Sequence, residues 1–453
     1  MQLPASPAAE LATELAANES AGDISPAHPA ICQHCGLLQH VPRLVAPAAV
    51  ACAQCHVTLR RVQVNSLGRA LAFSLTGLAL FGLACFMPLM RVSTSGIILG
   101  ADIFSGPRRL DQQGVWELAL VVLFTTVAAP FLKLSGISYV LLALRLKRPP
   151  AHLGRIFGWV AKLSAWSMVE VYLLGVFVAY VKLVDIVHID VGIAVYALVG
   201  LMVATIATDA FLDRQAVWDV LERKGIVAHP QTGGSQVPAN PGTGTGIGTG
   251  TVVSCETCEK VSVIPAGSAG EGRHECPRCG SRLHARKPNG IMRCWALVIA
   301  ATVLYIPANV YPVLTVVHLG SGAPSTILGG VEELVAAKMY PLAAVVFIAS
   351  IMVPMLKLAG LALLLLMTQL GRGERLHDRG RLYRIVSVIG RWSMIDIFME
   401  SILVALVQFG AIVTIEPGVG AVAFAAVVIL TIFAAESFDP RLMWDAAARP
   451  GRV

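Results

Sequence analysis

Hydrophobic positions in this chain gather into eight long apolar runs separated by short polar stretches. In the first half the runs cover about 70–90, 115–144, 156–187 and 193–212. In the second they cover about 294–316, 338–370, 385–414 and 419–437. Apolar runs of 18 or more residues with few charges predict transmembrane helices. Residues 91–114 and 317–337 interrupt the pattern as polar, Gly-rich excursions. The first contains β-branched stretches such as Arg91-Val92-Ser93-Thr94-Ser95 that suit a short strand or two. The segments 188–192 and 415–418 read as tight turns.

The pattern is written twice. Trp166-Ser167-Met168-Val169-Glu170 returns 226 residues later as Trp392-Ser393-Met394-Ile395-Asp396. Pro130-Phe131-Leu132-Lys133 returns at an offset of 224 as Pro354-Met355-Leu356-Lys357. Each phrase places one ionisable residue in the middle of an apolar run, where it costs several kcal/mol unless paired or wetted. If consecutive helices are antiparallel neighbours, Lys133 meets Glu170 and Lys357 meets Asp396 at mid-membrane depth. Pro130 and Pro354 each remove one helical hydrogen bond, next to Thr126 and Ser350. Freed carbonyls of that kind are tolerated where they are buried in protein or line a wet cavity.

Composition agrees with the runs. The chain of 453 residues is 56% hydrophobic and 14% charged, against roughly 25% charged in soluble proteins, and its mean hydropathy is +0.70. The net charge of +7 is no nucleic-acid signal, because the basic residues cluster at run ends. Arg145, Lys147, Arg148 and Arg155 follow the second run. Arg372, Arg375, Arg379, Arg381 and Arg384 follow the sixth. The turns at 188–192 and 415–418 hold no Lys or Arg. That asymmetry predicts cytosolic basic loops and cytosolic termini. Residues 1–30 lack the charge and apolar pattern of a secretory signal.

Ten cysteines are present, and eight form four C-x-x-C pairs. Cys32, Cys35, Cys52 and Cys55 precede the first set of runs, and Cys255, Cys258, Cys276 and Cys279 precede the second. Paired knuckles at this spacing are the pattern of a zinc ribbon. Four thiolates close a tetrahedral site and leave no position for a reacting water. Two structural Zn2+ ions are therefore expected. Cys52-x-x-Cys55-His56 also matches a c-type haem attachment, but the second copy has Gly280 where His56 stands. A redox role for the C-x-x-C pairs, linked to a quinone, is the competing class of function.

The expected architecture is an all-α polytopic membrane protein of two tandem repeats. A tail (1–30) leads to ribbon 1 (31–60) and a four-helix bundle (61–222). A Gly/Thr/Pro linker (223–252) leads to ribbon 2 (253–285), a second bundle (286–446) and a short tail (447–453). The motif P-x-L-K in the second helix and W-S-M-x-[DE] in the third, behind doubled C-x-x-C pairs, resembles the paraquat-inducible protein A family. The resemblance covers nearly the whole chain except the first 30 residues and the linker. It implies a non-enzymatic protein of the inner membrane of a Gram-negative bacterium. It also implies a periplasmic MCE-domain partner that forms a tunnel, and membrane phospholipids as cargo. A bare membrane anchor for that partner is the plainer alternative. The second repeat keeps more polar groups near mid-membrane: Asn309, Lys357, Arg391, Ser393 and Asp396, against Lys133, Ser167 and Glu170 in the first. The lipid or proton pathway is expected to depend chiefly on the second.

Overall fold

A computed structural model describes residues 28–42, 47–63, 65–94, 97–184, 188–227, 250–265, 274–318, 321–371, 375–407 and 413–448. The tail to residue 27, residues 228–249 of the linker, Arg372 and the segment from 449 lie outside them.

Two hairpins open the first half: β1 (His28–Ile31) with β2 (Leu38–Val41), and β3 (Ala48–Ala51) with β4 (Thr58–Val62). Then come α1 (Ser66–Phe86), β5 (Met90–Thr94), β6 (Ile97–Ala101), α2 (Ser105–Gln112) and α3 (Trp116–Ala143). They are followed by α4 (Leu153–Leu163), α5 (Val169–Val184), β7 (His188–Val191), α6 (Ile193–Phe211) and α7 (Arg214–Arg223). The second half repeats the order. It runs β8 (Gly250–Ser254), β9 (Val261–Pro265), α8 (Gly290–Val310), β10 (Leu314–His318), β11 (Ser321–Ser325) and α9 (Ile327–Ala336). It continues with α10 (Tyr340–Gln369), α11 (Leu376–Trp392), α12 (Ile395–Leu406), β12 (Val413–Pro417), α13 (Val419–Ser437) and α14 (Arg441–Ala448). Helix n of the first half thus corresponds to helix n + 7. Asn65 and Asn289 start α1 and α8 in the left-handed conformation, with φ of 56° and 53°. Asn tolerates that conformation better than most residues.

Three features add to the sequence picture or depart from it. Among the described residues, six helices rather than eight are long and apolar enough to cross a membrane: α1, α3, α6, α8, α10 and α13. The third run of each half is broken, between α4 and α5 over residues 164–168 and between α11 and α12 over residues 393–394. Both breaks fall on the Trp-Ser-Met phrase. Ser167 and Ser393 are buried there. Second, the chain is mostly helical but not all-α, since five small sheets are present among the described residues. The excursions form antiparallel sheets ordered β6-β5-β7 and β11-β10-β12, so the expected turns at 188–192 and 415–418 are largely strand. Asp190 faces Arg91, and Glu416 faces Thr315. Third, the helices run on through Pro130 and Pro354. A π-helical turn, Phe124–Ala128 in α3 and Ile348–Met352 in α10, lies just before each one. The wider turn takes up the missing N–H without breaking the helix.

One apolar core joins the two halves. Tyr172 of α5 meets Phe398 of α12 edge to face, ring centres 5.7 Å apart. Gly175 allows the approach, because a Cβ there would lie 2.9 Å from the Cβ of Phe398. On the side of the sheets, α2 sits on α12 with Gly106 against Ser401, and Gln113 donates to the carbonyl of Ile415 at 3.0 Å.

The ribbons cross between halves while each keeps an ion pair to its own bundle, Arg60–Asp219 at 3.1 Å and Glu256–Arg441 at 3.5 Å. Ribbon 2 rests on the first bundle. Arg278 lies over the buried ring of Trp218 at 5.4 Å and pairs with Asp219 at 3.2 Å, while Thr257 touches Gly158 of α4. Ribbon 1 reaches the second bundle. His34 meets Tyr383 of α11 with ring centres 6.4 Å apart. His56 stacks on His377 at 6.0 Å, and His377 Nε2 donates to the carbonyl of Gln54 at 2.9 Å. The sequential unit of a ribbon followed by its own bundle is therefore not a separate packing unit.

Candidate functional sites

The four-cysteine clusters are built by their hairpins. In each knuckle the residue after the second cysteine turns its N–H back to the carbonyl of the first. Gly36 bonds Cys32, His56 bonds Cys52, Glu259 bonds Cys255 and Gly280 bonds Cys276, at 2.8 to 3.0 Å. All four closing residues have positive φ: 78°, 58°, 59° and 70°. That turn explains His56, which occupies the position where Gly36 and Gly280 stand in other knuckles. The sulfurs converge. Cys32 lies 3.5 Å from Cys55 and Cys35 lies 3.5 Å from Cys52. Cys255 lies 3.4 Å from Cys279 and Cys258 lies 3.5 Å from Cys276. Within each cluster all four Sγ atoms lie within 4.8 Å of one another. A tetrahedral ion with metal–sulfur bonds near 2.3 Å needs edges of about 3.8 Å, so both clusters can hold a metal ion. Seven of the eight cysteines are buried and Cys55 is half-buried.

The intramembrane groups divide between the halves. In the first, Lys133 is buried on α3 and donates to Asp209 of α6 at 2.6 Å. The acid that accepts from Lys133 is thus Asp209, not the expected Glu170. Glu170 begins α5 and lines an apolar groove shared with Trp392. Ser167 is buried one turn before it. In the second half the lysine has no such carboxylate. Phe211 maps to Phe438 at an offset of 227, so Asp209 maps to Glu436, which is exposed. Lys357 is 2% exposed and lies against Gly390, where a Cβ would sit 2.7 Å from Nζ.

Asp396 did not prove to be the partner of Lys357. Instead it begins α12 near Ser350 and within electrostatic reach of Lys182 of α5. Glu400, one turn further along α12, is buried and acts on the same lysine. Sequence reasoning missed Asp209, Lys182 and Glu400. Lys357 Nζ, Ser393 Oγ, Asp396 Oδ2 and Glu400 Oε1 are buried without a hydrogen-bond partner. Among the described residues, the other such atoms belong to the ribbons, their edges and the loop before α3: Gln39, Arg60, Gln63, Gln113 and Arg278. Asn309 is satisfied by its own helix, donating to the carbonyl of Tyr305 at 2.8 Å. The side chain of Arg391 lies outside the described residues.

The sequence model of the family described as Paraquat-inducible protein A matches residues 67–222 and again 291–448. The chain belongs to the paraquat-inducible protein A family. Each match spans one bundle and leaves out the ribbon before it, so the family model covers the membrane part of each repeat. Among relatives, the intermembrane transport protein PqiA of Escherichia coli (strain K12) is 34% identical over 416 residues, covering 92% of this chain and 95% of that one. The lipophilic envelope-spanning tunnel protein A of the same strain is 30% identical over 415 residues, covering 92% and 91%. A probable intermembrane transport protein of Haemophilus influenzae is 26% identical over 416 residues, covering 91% and 95%. No solved structure matches. Family membership and the six apolar helices make this a multi-pass membrane protein.

Proposed function

We propose that this protein is the inner-membrane component of an MCE-type lipid transport system. It passes phospholipid between the inner membrane and a periplasmic MCE-domain tunnel, without enzymatic chemistry. The relatives' names, intermembrane transport and envelope-spanning tunnel, support the class. In this reading the broken pairs α4–α5 and α11–α12 each make one crossing, which gives eight. The Lys/Arg asymmetry sets both ribbons and both termini in the cytosol. Each ribbon takes one Zn2+, which fixes two knuckles against each other and offers no open coordination position.

The observation that carries the reading is the set of unpartnered buried atoms in the second half: Lys357 Nζ, Ser393 Oγ, Asp396 Oδ2 and Glu400 Oε1. A buried polar atom without a partner costs about 1–3 kcal/mol, so four together are expensive unless a substrate or proton uses them. An ammonium offers a charge-assisted bond to a phosphate oxygen. The satisfied Lys133–Asp209 pair fits a role in packing the first half. In a detergent-barrier growth assay, Lys357→Ala and Asp396→Ala should lose function at wild-type protein level. Lys133→Ala and Glu170→Ala should be milder, and Lys133→Ala should reduce the amount of protein, since it leaves Asp209 without its cation. If Lys357→Ala and Asp396→Ala are both made normally and both grow like wild type, the pathway is not there.

A further inference from the structure

Between α4 and ribbon 2 lies a cavity of about 740 Å³. Four cations border it: Arg155 and Lys162 from α4, Arg214 at the start of α7, and Arg282 from the ribbon. All four are exposed, and none makes an ion pair among the described residues. Two carboxylates also border the cavity, Glu256 and Glu275. Glu256 is engaged by Arg441 at 3.5 Å, so the balance is positive. Beside the cations stands Trp159, 72% exposed and on the same stretch of α4 as Arg155 and Lys162. An exposed indole next to basic side chains at the end of a membrane crossing matches the interfacial layer of a bilayer. Basic pockets on the cytosolic side of membrane helices suit anionic head groups.

We propose that this cavity binds the head group of an anionic phospholipid of the cytosolic leaflet. The phosphate sits among Arg155, Lys162 and Arg282, and an acyl chain lies along Trp159. The metal ribbon is then one wall of a lipid site as well as a structural knob. A free phosphate would use the cations but leave the indole uncovered, which argues for an amphiphile. The inference goes beyond the transport reading. It needs anionic lipid in the bilayer, not movement of that lipid.

The test uses the full-length protein in nanodiscs of phosphatidylcholine, titrated with brominated phosphatidylglycerol or brominated phosphatidylcholine. The signal is the part of the tryptophan quenching that Trp159→Phe removes. Brominated phosphatidylglycerol should quench Trp159 well below the concentration at which brominated phosphatidylcholine does. Each basic residue near an anionic surface is worth about fivefold in affinity. The triple variant Arg155→Gln, Lys162→Gln, Arg282→Gln should therefore weaken the effect on the order of a hundredfold. Arg155→Lys with Arg282→Lys should retain most of it, which separates lost charge from misfolding. The control triple Arg145→Gln, Lys147→Gln, Arg148→Gln, in the neighbouring exposed loop, should change it less than about twofold. Equal quenching by the two lipids would overturn the proposal. So would an equal loss in the control triple, which would mean a diffuse surface charge. Full displacement of the lipid by millimolar inorganic phosphate would assign the cavity to a free anion instead.

Discussion

Lys133 and Lys357 hold matched places in the two halves and end in different company. One donates to Asp209 at 2.6 Å. The other is sealed in with no hydrogen-bond partner, and its ammonium fills the space beside Gly390. Gly390→Ala should therefore push the Lys357 head group aside and lower growth in detergent to the level of Lys357→Ala, with protein amount unchanged. Wild-type growth of Gly390→Ala would show that the position of the ammonium is unimportant. The sequence made both lysines visible, because a charge inside an apolar run stands out. Their partners were hidden, because spatial neighbours were inferred from chain order. Asp209 is a lone acid in the fourth run and was available as a signal. Glu400 was missed for another reason. At the offset of 226 its counterpart is Leu174, so no repeated phrase contains it. Lys182 likewise belongs to no repeated phrase. Groups unique to one half are invisible to a reading built on likeness between halves.

At the level of elements, the connections between helices show how local chemistry fixes a boundary. Asp213 starts α7 and accepts the N–H groups of Gln215 and Ala216 at 3.0 and 3.1 Å. Asp439 does the same work before α14, accepting the N–H of Arg441 at 3.1 Å. It also takes the Arg441 guanidinium in two bonds of 3.0 and 3.1 Å. Burial alone would raise the carboxyl's pKa, but the Arg441 bonds and charge override it and hold the group below the usual carboxylate range. A depressed folded pKa gives stability that is complete above the unfolded value of about 4 and is lost as pH falls through the folded value. Asp439→Asn should lower stability near neutral pH by about 3 kcal/mol, because it leaves the buried Arg441 only the longer contact to Glu256 at 3.5 Å. Thermal melts of the two proteins should converge only well below pH 4; a constant gap down to pH 2 would contradict the assignment. The acids at these caps recur in the sequence at an offset of 226, but nothing there marks them as caps. The π turns before Pro130 and Pro354 left no trace there either. One extra residue in a turn changes neither composition nor hydrophobic period enough to be seen.

Over the whole molecule, the number of apolar runs, the duplication and both cysteine quartets could be read directly, since each is a matter of spacing. The exchange of ribbons could not, since nothing in a ribbon's sequence states which bundle will receive it. Its consequences are directional. Cys55→Ser should loosen the seat around His377 and Trp444, whose rings meet at 5.7 Å, and increase protease cleavage near residues 372–384. Cys279→Ser should instead expose the loop at 145–152. Limited proteolysis of membranes from the two variants distinguishes this from a sequential arrangement, in which the cleavage sites would trade places. Chelation of the metal ion proposed for each cluster should produce both patterns. The exchange also imposes an order in time. Ribbon 2 leaves the ribosome with its platform, Trp218 and Asp219, already made. Ribbon 1 does not, because His377 follows Gln54 by 323 residues. At 5–20 residues per second the first ribbon waits roughly 15–65 s before its docking surface exists. During that interval a bound metal is the main force available to keep so small a hairpin pair folded.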